Sequence, residues 1–578
     1  MWRSDVLGRR WQVEPAPDPA QAAGLARELG VPLPFAALLV QRGFSGREAA
    51  RRFLRPRREH LHDPALLPDL AVAVDRLAAA ARRGETVFVH GDYDVDGQCA
   101  TAVLTRLLRR LGGAVVPYVP HRLRDGYDLS ESGVRAAAAA GASVLVTLDC
   151  GTTAIEAVRL ARTSGMEVIV VDHHLPGPQL PEALALVNPR RPDSRYPFAD
   201  LCGAGLAWKL ALALAAGAGL AEGVPWRLLD LVALATVADL VPLCGENRVL
   251  VRLGLKLMGE TRWPGLRALA AEAGLAGKPL RAGHLGFALG PRLNAAGRVG
   301  EAMDGLRLLL TDDIGEAVQL AGQLDRLNAE RQALDQRTLE EALEQLEREC
   351  DPGRDVGVVL ANERWHAGVV GIVASRIQER IGRPVFLVAL EGATGKGSGR
   401  SVAGCDLHAA LARCAPLLER WGGHRMAAGL TVRRDRLGEF RSAFNAACAE
   451  QLGPAAPVPT QRVDAVVAVG DLVGGAAGDL ERLLRALEPT GVGNPGPVFG
   501  IEGLRIRGGL RPMGERHVRF ALTDGVDAIE TVAFGTREEV ERVAGAARGP
   551  LRAALRLERD TWQGRDRIEG RLVCLAEG

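Results

Sequence analysis

No two of the nine cysteines in this 578-residue chain stand at C-x-x-C spacing, and their number is odd. Cys99, Cys150, Cys202, Cys244, Cys350, Cys405, Cys414, Cys448 and Cys574 are scattered, which argues against both a disulfide framework and a thiolate zinc site. Such usage suits a reducing, cytoplasmic compartment. Long uncharged apolar runs are also missing. The opening MWRSDVLGRRWQVEP has no apolar signal core, and the alanine-rich stretch Leu210–Gly219 is interrupted by glycine. Neither a secretion signal nor a membrane span is expected. A charge excess of one sign is absent too: 72 Lys and Arg against 70 Asp and Glu leave a net charge of +2. Any anion-binding surface must therefore be a local lining. Aromatic residues reach only 4%, so a ligand held by ring stacking would depend on a few side chains.

What is present is an ordinary globular composition, 47% hydrophobic and 25% charged, in a chain too long for one core. Residues 1–68 read as a helical accessory region, with short helices at Phe35–Phe44 and Arg47–Leu54. Residues 69–312 alternate β-rich runs (Thr86–His90, Val115–Val119, Val144–Leu148, Val168–Val171) with helical segments such as Thr101–Arg110 and Ala154–Thr163. That alternation predicts a parallel sheet in an α/β domain. Residues 313–350 carry leucines at three- and four-residue steps and predict one long connecting helix. A second α/β domain is expected over 351–452. Beyond a linker at Gly453–Pro459, residues 453–578 alternate with period two and predict a small β-barrel with one helix, OB-like in kind, including a turn at Gln563–Gly564.

Three strands of the first sheet end in potential metal ligands: His90, Asp92, Asp94 and Asp96 after one, Asp149 after another, Asp172, His173 and His174 after a third. In open α/β sheets such positions converge at the carboxyl ends of the strands. Converging carboxylates repel; two charges about 4 Å apart cost roughly 4 kcal/mol at an effective dielectric of 20. Divalent cations would neutralise them, and oxygen with imidazole donors suits Mn²⁺ or Mg²⁺.

The segments His90–Gly97, Asp149-Cys150-Gly151, Asp172-His173-His174, Cys202–Gly205 and Thr236–Pro242 resemble the motifs of the DHH phosphoesterase superfamily. The resemblance implies two cations, Mn²⁺ or Mg²⁺. One would be held by His90, Asp94 and Asp149, the other by Asp96, Asp149, His173 and Asp239, with Asp149 bridging. It makes Asp149, His173 and His174 the catalytic residues, His174 either standing behind the ligands or touching the scissile phosphate, while Asp92 and Asp172 stand behind the ligands. A water between the cations would attack.

Further segments narrow the resemblance to the bacterial RecJ family over nearly the whole chain: Pro291–Arg298, Leu324–Gln332, Trp365–Arg376, Gly422–Gly429 and Leu487–Phe499. The family implies a DHH-associated second α/β domain and an OB-like tail that grips single strands without sequence preference. It implies a single-stranded-DNA-specific 5′→3′ exonuclease of DNA repair and recombination that releases 5′-mononucleotides. Arg122, Arg298, Ser398 and Arg400 would grip the 5′-terminal phosphate, the last two from a glycine-rich loop, Gly395–Ser401. His424 and Met426 would line the cleft, and Tyr127, Phe499 and Trp562 are candidates for base stacking. Single-stranded-DNA-binding protein and a RecQ-type helicase are the partners implied, with no membrane and a monomeric enzyme. Two departures stand out: Gln98-Cys99 where the family has a small hydroxyl residue, and Asp128 where it has glycine between Tyr127 and Leu129. The rival readings are a nanoRNase or cyclic-dinucleotide phosphodiesterase on the same metals, and a binding protein related to the catalytically dead members of replication helicases. The latter lose metal carboxylates that are all present in this chain.

Overall fold

The computed structural model describes residues 9–122, 124–453, 460–473, 475–560 and 567–578. Two compact units emerge, one of Met1–Ala50, Gln332–Ala486 and Gly496–Gly578, the other of Arg51–Arg331 and Leu487–Pro495. The first element of the described residues is a strand, β1 (Arg10–Val13), followed by helices Pro19–Leu29, Leu33–Gln41 and Arg47–Leu54. The sequence predicts only helices in this region. The short β1 is defined by a partner far along the chain, which no local pattern reveals.

In the unit of Arg51–Arg331, strands β2 (Thr86–Gly91), β3 (Ala114–Tyr118), β4 (Val144–Leu148), β5 (Glu167–Val171) and β6 (Ala185–Val187) form one sheet. Its order is β3-β2-β4-β5-β6 and every pairing is parallel. Both faces are covered, which is why the strands read as almost continuous apolar runs. Val87, Val89, Val144 and Val146 pack with helices Leu70–Arg83, Val95–Arg110 and Gly203–Gly217. Phe88, Leu145, Val168 and Val170 pack with helices Glu131–Ala139 and Ile155–Thr163. The strand order reverses direction between β2 and β4, so a crevice opens at their carboxyl ends. Leu487–Glu488–Pro489 belongs with this unit, its carbonyls accepting hydrogen bonds from the buried Arg248 guanidinium.

The 36-residue helix Ile314–Glu349 is continuous, as its leucine spacing predicts. In the other unit, β7 (Val358–Asn362), β8 (Val385–Glu391), β9 (Thr394–Arg400), β10 (Leu418–Gly423) and β11 (Ala427–Arg433) form a sheet of order β10-β11-β9-β8-β7. The expected loop at Gly395–Ser401 is instead strand β9, paired antiparallel to β8 and β11. Its glycines share one face, where a Cβ at Gly395, Gly397 or Gly399 would lie 2.6, 2.8 or 2.4 Å from Val388, Leu430 or Phe386. Close packing, and not a turn, accounts for that composition.

After β12 (Thr460–Val463), which pairs parallel with β1, come β13 (Ala465–Val466), β14 (Phe499–Met513), β15 (His517–Thr523), β16 (Ala528–Ala533), β17 (Leu551–Asp560) and β18 (Arg567–Glu577). Strands β14, β15, β16, β18 and β17 close into a five-stranded barrel through the β14–β17 pairing. Among its described residues the tail holds three helices, Val469–Leu472, Gly475–Ala486 and Arg537–Ala546, and not one. The linker residues 454–459, Trp562 and the turn Gln563–Gly564 lie outside the described residues. Phe499 is 1% exposed; it is a barrel core residue and cannot stack on a base.

Candidate metal centre and phosphate-binding residues

The end of β2 is shaped by glycine. A Cβ on Gly97 would lie 2.4 Å from the backbone N and O of Asp92, so only glycine lets helix Val95–Arg110 begin this close to the strand. Asp94 caps that helix, its Oδ1 accepting from the amides of Asp96 (2.9 Å) and Gly97 (3.1 Å). Asp96 is held in turn by the start of helix Gly203–Gly217: the amides of Gly203 and Ala204 donate to its Oδ2 (2.6 Å) and Oδ1 (2.7 Å). An anion at a helix N-terminus is the natural occupant there. A Cβ on Gly203 would stand 2.6 Å from Asp149 Cβ. The Cys202–Gly205 motif thus seats two carboxylates at once, a role that sequence reading missed.

Asp149 leaves β4 with a left-handed backbone, φ 63°, and Leu240, just after Asp239, has φ 61°. Non-glycine residues in this region cluster at functional sites. Asp239 ends helix Leu229–Ala238. Asp172 accepts from the amides of Thr152 (3.0 Å), His173 (2.7 Å) and His174 (3.1 Å), and its Oδ1 lies 2.7 Å from His174 Nδ1. It thereby ties together Thr152, His173 and His174. Tyr127 Oη lies 3.0 Å from His174 Nε2.

Three donor groups result, each with one atom per residue within 4.8 Å of the others: Asp92, Asp94 and Asp149; Asp96, His173 and Asp239; Asp149, His173 and His174. Asp92, predicted to stand behind the ligands, has an atom in the first of these groups. His90, predicted as a ligand, is in none of the three groups; a Cβ on Gly133 would lie 2.8 Å from its Nε2, and its Nδ1 is 3.8 Å from Cys150 Sγ. Buried atoms of Asp92 (Oδ1), Asp149 (Oδ1), Asp239 (Oδ2), His90 (Nε2) and His173 (Nδ1, Nε2) have no hydrogen-bond partner.

Burial, then the repulsion of Asp96, Asp94, Asp239 and Asp92, pushes the Asp149 carboxyl well above its ordinary range. Burial and Asp94 do the same to Asp92, and burial with Asp96 and Asp94 to Asp239. Burial lowers His173 and His90 to about 4, so both imidazoles are neutral lone-pair donors. Burial disfavours the charge on Asp172 too, but the hydrogen bond and charge of His174 prevail and lower it. Divalent cations fit this donor set: they would supply the orphaned atoms with partners and reverse the repulsion.

Beside the carboxylates, the Arg122 guanidinium sits 5.0 Å over the Tyr93 ring. Burial, then the charges of Arg122 and Arg331, lowers Arg298 to about 10. Arg331, missed in the sequence, is itself buried and donates to Asn328 Oδ1 at 2.6 Å. In the other unit, Ser398 and Arg400 share the face of β9 opposite its glycines. Arg400 Nη1 donates to Ser398 Oγ at 3.1 Å, and a Cβ on Gly371, at the start of helix Val370–Ile381, would meet both residues at 2.8 and 3.3 Å. His424 and Met426 lie exposed between β10 and β11, with the Met426 carbonyl accepting from the Ser401 amide at 3.0 Å.

The family models agree with this geometry. The DHH family, N-terminal domain, matches residues 86–236, the DHHA1 domain residues 355–450, and the RecJ OB domain residues 463–573. The chain is 42% identical over 519 residues to the single-stranded-DNA-specific exonuclease RecJ of Dickeya dadantii, covering 86% of this chain and 88% of that protein. The chain belongs to the RecJ family. The RecJ of Bacillus subtilis is 36% identical over 544 residues, covering 93% of this chain and 67% of that one. The crystal structure of RecJ in complex with Mn²⁺ from Thermus thermophilus superposes with a TM-score of 0.84 at 36% identity, over 98% of this chain and 80% of that one. The RecJ fold thus extends through both α/β sheets and the barrel.

Proposed function

We propose that this RecJ-family chain is a cytoplasmic, metal-dependent exonuclease of DNA repair and recombination. It digests single-stranded DNA from the 5′ end and releases 5′-mononucleotides. The observation that carries the reading is the set of three donor groups linked through Asp149 and His173, which suits two adjacent cations. In this reading Asp96, Asp149, His173 and Asp239 would hold one cation, and Asp94 and Asp149 would help to hold the other. The donor groups favour Asp92 over His90 as its third ligand. Such ions supply Lewis-acid polarisation of the phosphodiester and charge neutralisation.

The chain's own residues do the rest. Neutral His173 offers a lone pair, and Asp172 fixes the orientation of His174, which faces the scissile phosphate with Tyr127 against it. Arg122 and Arg298 take phosphate on one unit, while Ser398, Arg400, His424 and Met426 contact the strand on the other. Phosphate grip sets register without reading bases. Residues 69–312 carry the chemistry, 313–350 connect, 351–452 and 453–578 engage the strand, and 1–68 are accessory. Single-stranded-DNA-binding protein and a RecQ-type helicase are the proposed partners of a monomeric enzyme.

Digestion of a long 5′-phosphorylated single strand, labelled at either end, tests the reading. The expected result is Mn²⁺- or Mg²⁺-dependent release of mononucleotides from the 5′ end, weakening steeply with salt. Cleavage of dinucleotides with long strands untouched would instead establish the nanoRNase or cyclic-dinucleotide reading.

A further inference from the structure

Asp128 has a left-handed backbone, φ 74°, a conformation that a Cβ disfavours and glycine adopts freely. Its side chain is fully engaged. Oδ1 accepts from its neighbour's amide, Leu129 (2.8 Å), and from the distant amide of Gly151 (2.7 Å), while Oδ2 accepts from Thr153 Oγ1 (2.9 Å). Gly151 and Thr153 belong to the turn that begins at Asp149. The next amide of that turn, Thr152, donates to Asp172 Oδ2 at 3.0 Å. Consecutive amides are therefore held by carboxylates from two different loops. The turn has few other ways to be fixed: Gly151 itself has φ 107°, and its missing Cβ would lie 2.4 Å from Thr147 Oγ1.

We infer that Asp128 is a positioning residue that, paired with Asp172, locks the Asp149 turn in the conformation that offers its carboxylate to both donor groups. Two carboxylate oxygens on two donors of the turn, Gly151 N and Thr153 Oγ1, fix it where a single bond would let it rotate. Leu129 N and Gly151 N are both bound by Oδ1, so the loop at 127–129 and the turn at 149–153 move as one piece. Tyr127, one residue earlier, reaches His174. The same loop therefore braces two of the three donor groups. The unfavourable backbone persists because these bonds over-determine it.

The inference rests on Asp149 being a cation ligand, and the test separates the two. Mn²⁺ binding to the full-length chain is measured by titration calorimetry for the wild type and the Asp149→Ala, Asp128→Gly and Asp128→Asn variants, with melting curves and kcat and KM on single-stranded DNA. Glycine relieves the backbone, so Asp128→Gly keeps its fold. It is expected to weaken Mn²⁺ binding by about 10–100-fold, as loss of a ligand-orienting partner does, and to lower kcat with KM little changed. Asparagine keeps Oδ1 and tolerates the left-handed region, so Asp128→Asn is expected to restore both. Asp128→Gly with wild-type Mn²⁺ affinity and kcat overturns the inference. A loss in Asp128→Gly that asparagine does not restore overturns it as well. Wild-type affinity in Asp149→Ala overturns the ligand assignment beneath it.

Discussion

His173 Nε2 stands 3.0 Å from Asp149 Oδ1, yet neither atom has a hydrogen-bond partner. The contact is close without hydrogen-bond geometry, and burial holds the imidazole neutral at a pKa of about 4. The same nitrogen lies 3.7 Å from Asp239 Oδ2 and 3.9 Å from Asp96 Oδ2. Three carboxylates around one neutral nitrogen do not form a salt bridge; they make a donor group of the kind that could hold a cation.

Asp149→Ala is accordingly expected to lower Mn²⁺-dependent nuclease activity by at least about 10²–10³-fold, the scale of losing one electrostatic stabiliser at a reacting centre. Circular dichroism should be unchanged, because the variant removes a repelling charge from an overcrowded site. Retained activity would remove Asp149 from the ligand set.

Chelation should both silence the chain and soften it. Burial, and then mutual repulsion, raises the pKa of Asp149 and Asp239, and a cation that binds only the folded state stabilises it, by about 2.7 kcal/mol at a hundred times its dissociation constant. Differential scanning calorimetry with EDTA and then with added Mn²⁺ should show the melting temperature fall and recover. An unchanged melting temperature on Mn²⁺ addition would argue against a built site.

A buried ion pair away from the site offers a stability test. Lys209 and Glu246 are 0% and 1% exposed and lie 2.6 Å apart. Lys209 also donates to the His62 carbonyl at 2.7 Å, and Glu246 accepts from Tyr196 Oη at 2.6 Å. Lys209→Met leaves Glu246 charged and buried, and should cost about 3–5 kcal/mol in chemical denaturation. Adding Glu246→Gln should recover a substantial part of that loss.

Gly399→Ala probes the glycine face of β9. The added methyl would lie 2.4 Å from the Phe386 ring, which is packed edge-on against Phe440 and Phe444. Overpacking should destabilise the fold by about 1–3 kcal/mol, whereas Ser398→Ala on the opposite face should leave stability nearly unchanged and weaken binding of a 5′-phosphorylated strand. Equal stability of the two variants would contradict the two-faced strand.

The acidic segment at β2 was legible because three consecutive strands of one parallel sheet each end in ligand-type residues, and a parallel sheet brings such ends together. The leucine spacing of Ile314–Glu349 was legible because a helix repeats its pattern locally. Strand β9 was not, since glycine at every second position looks like a loop until the neighbouring Phe386 and Leu430 are seen to fill the space. Strand β1 was hidden for a different reason, its partner being β12. The standing of Asp92 and His90 could not be read either, because both flank the same strand end and only side-chain direction separates them.

The sequence alone determined the residue types at the site, the parallel α/β order that gathers them and the family to which they belong, because periodicity and motif spacing are local properties. Tertiary structure decided which atoms meet. It set Asp96 on the amides of Gly203 and Ala204, turned Asp92 toward Asp94 and Asp149, and brought Asp128 to Gly151 and Thr153. Those contacts join segments distant in the chain, and their geometry is fixed by packing and hydrogen-bond satisfaction, which no local pattern encodes.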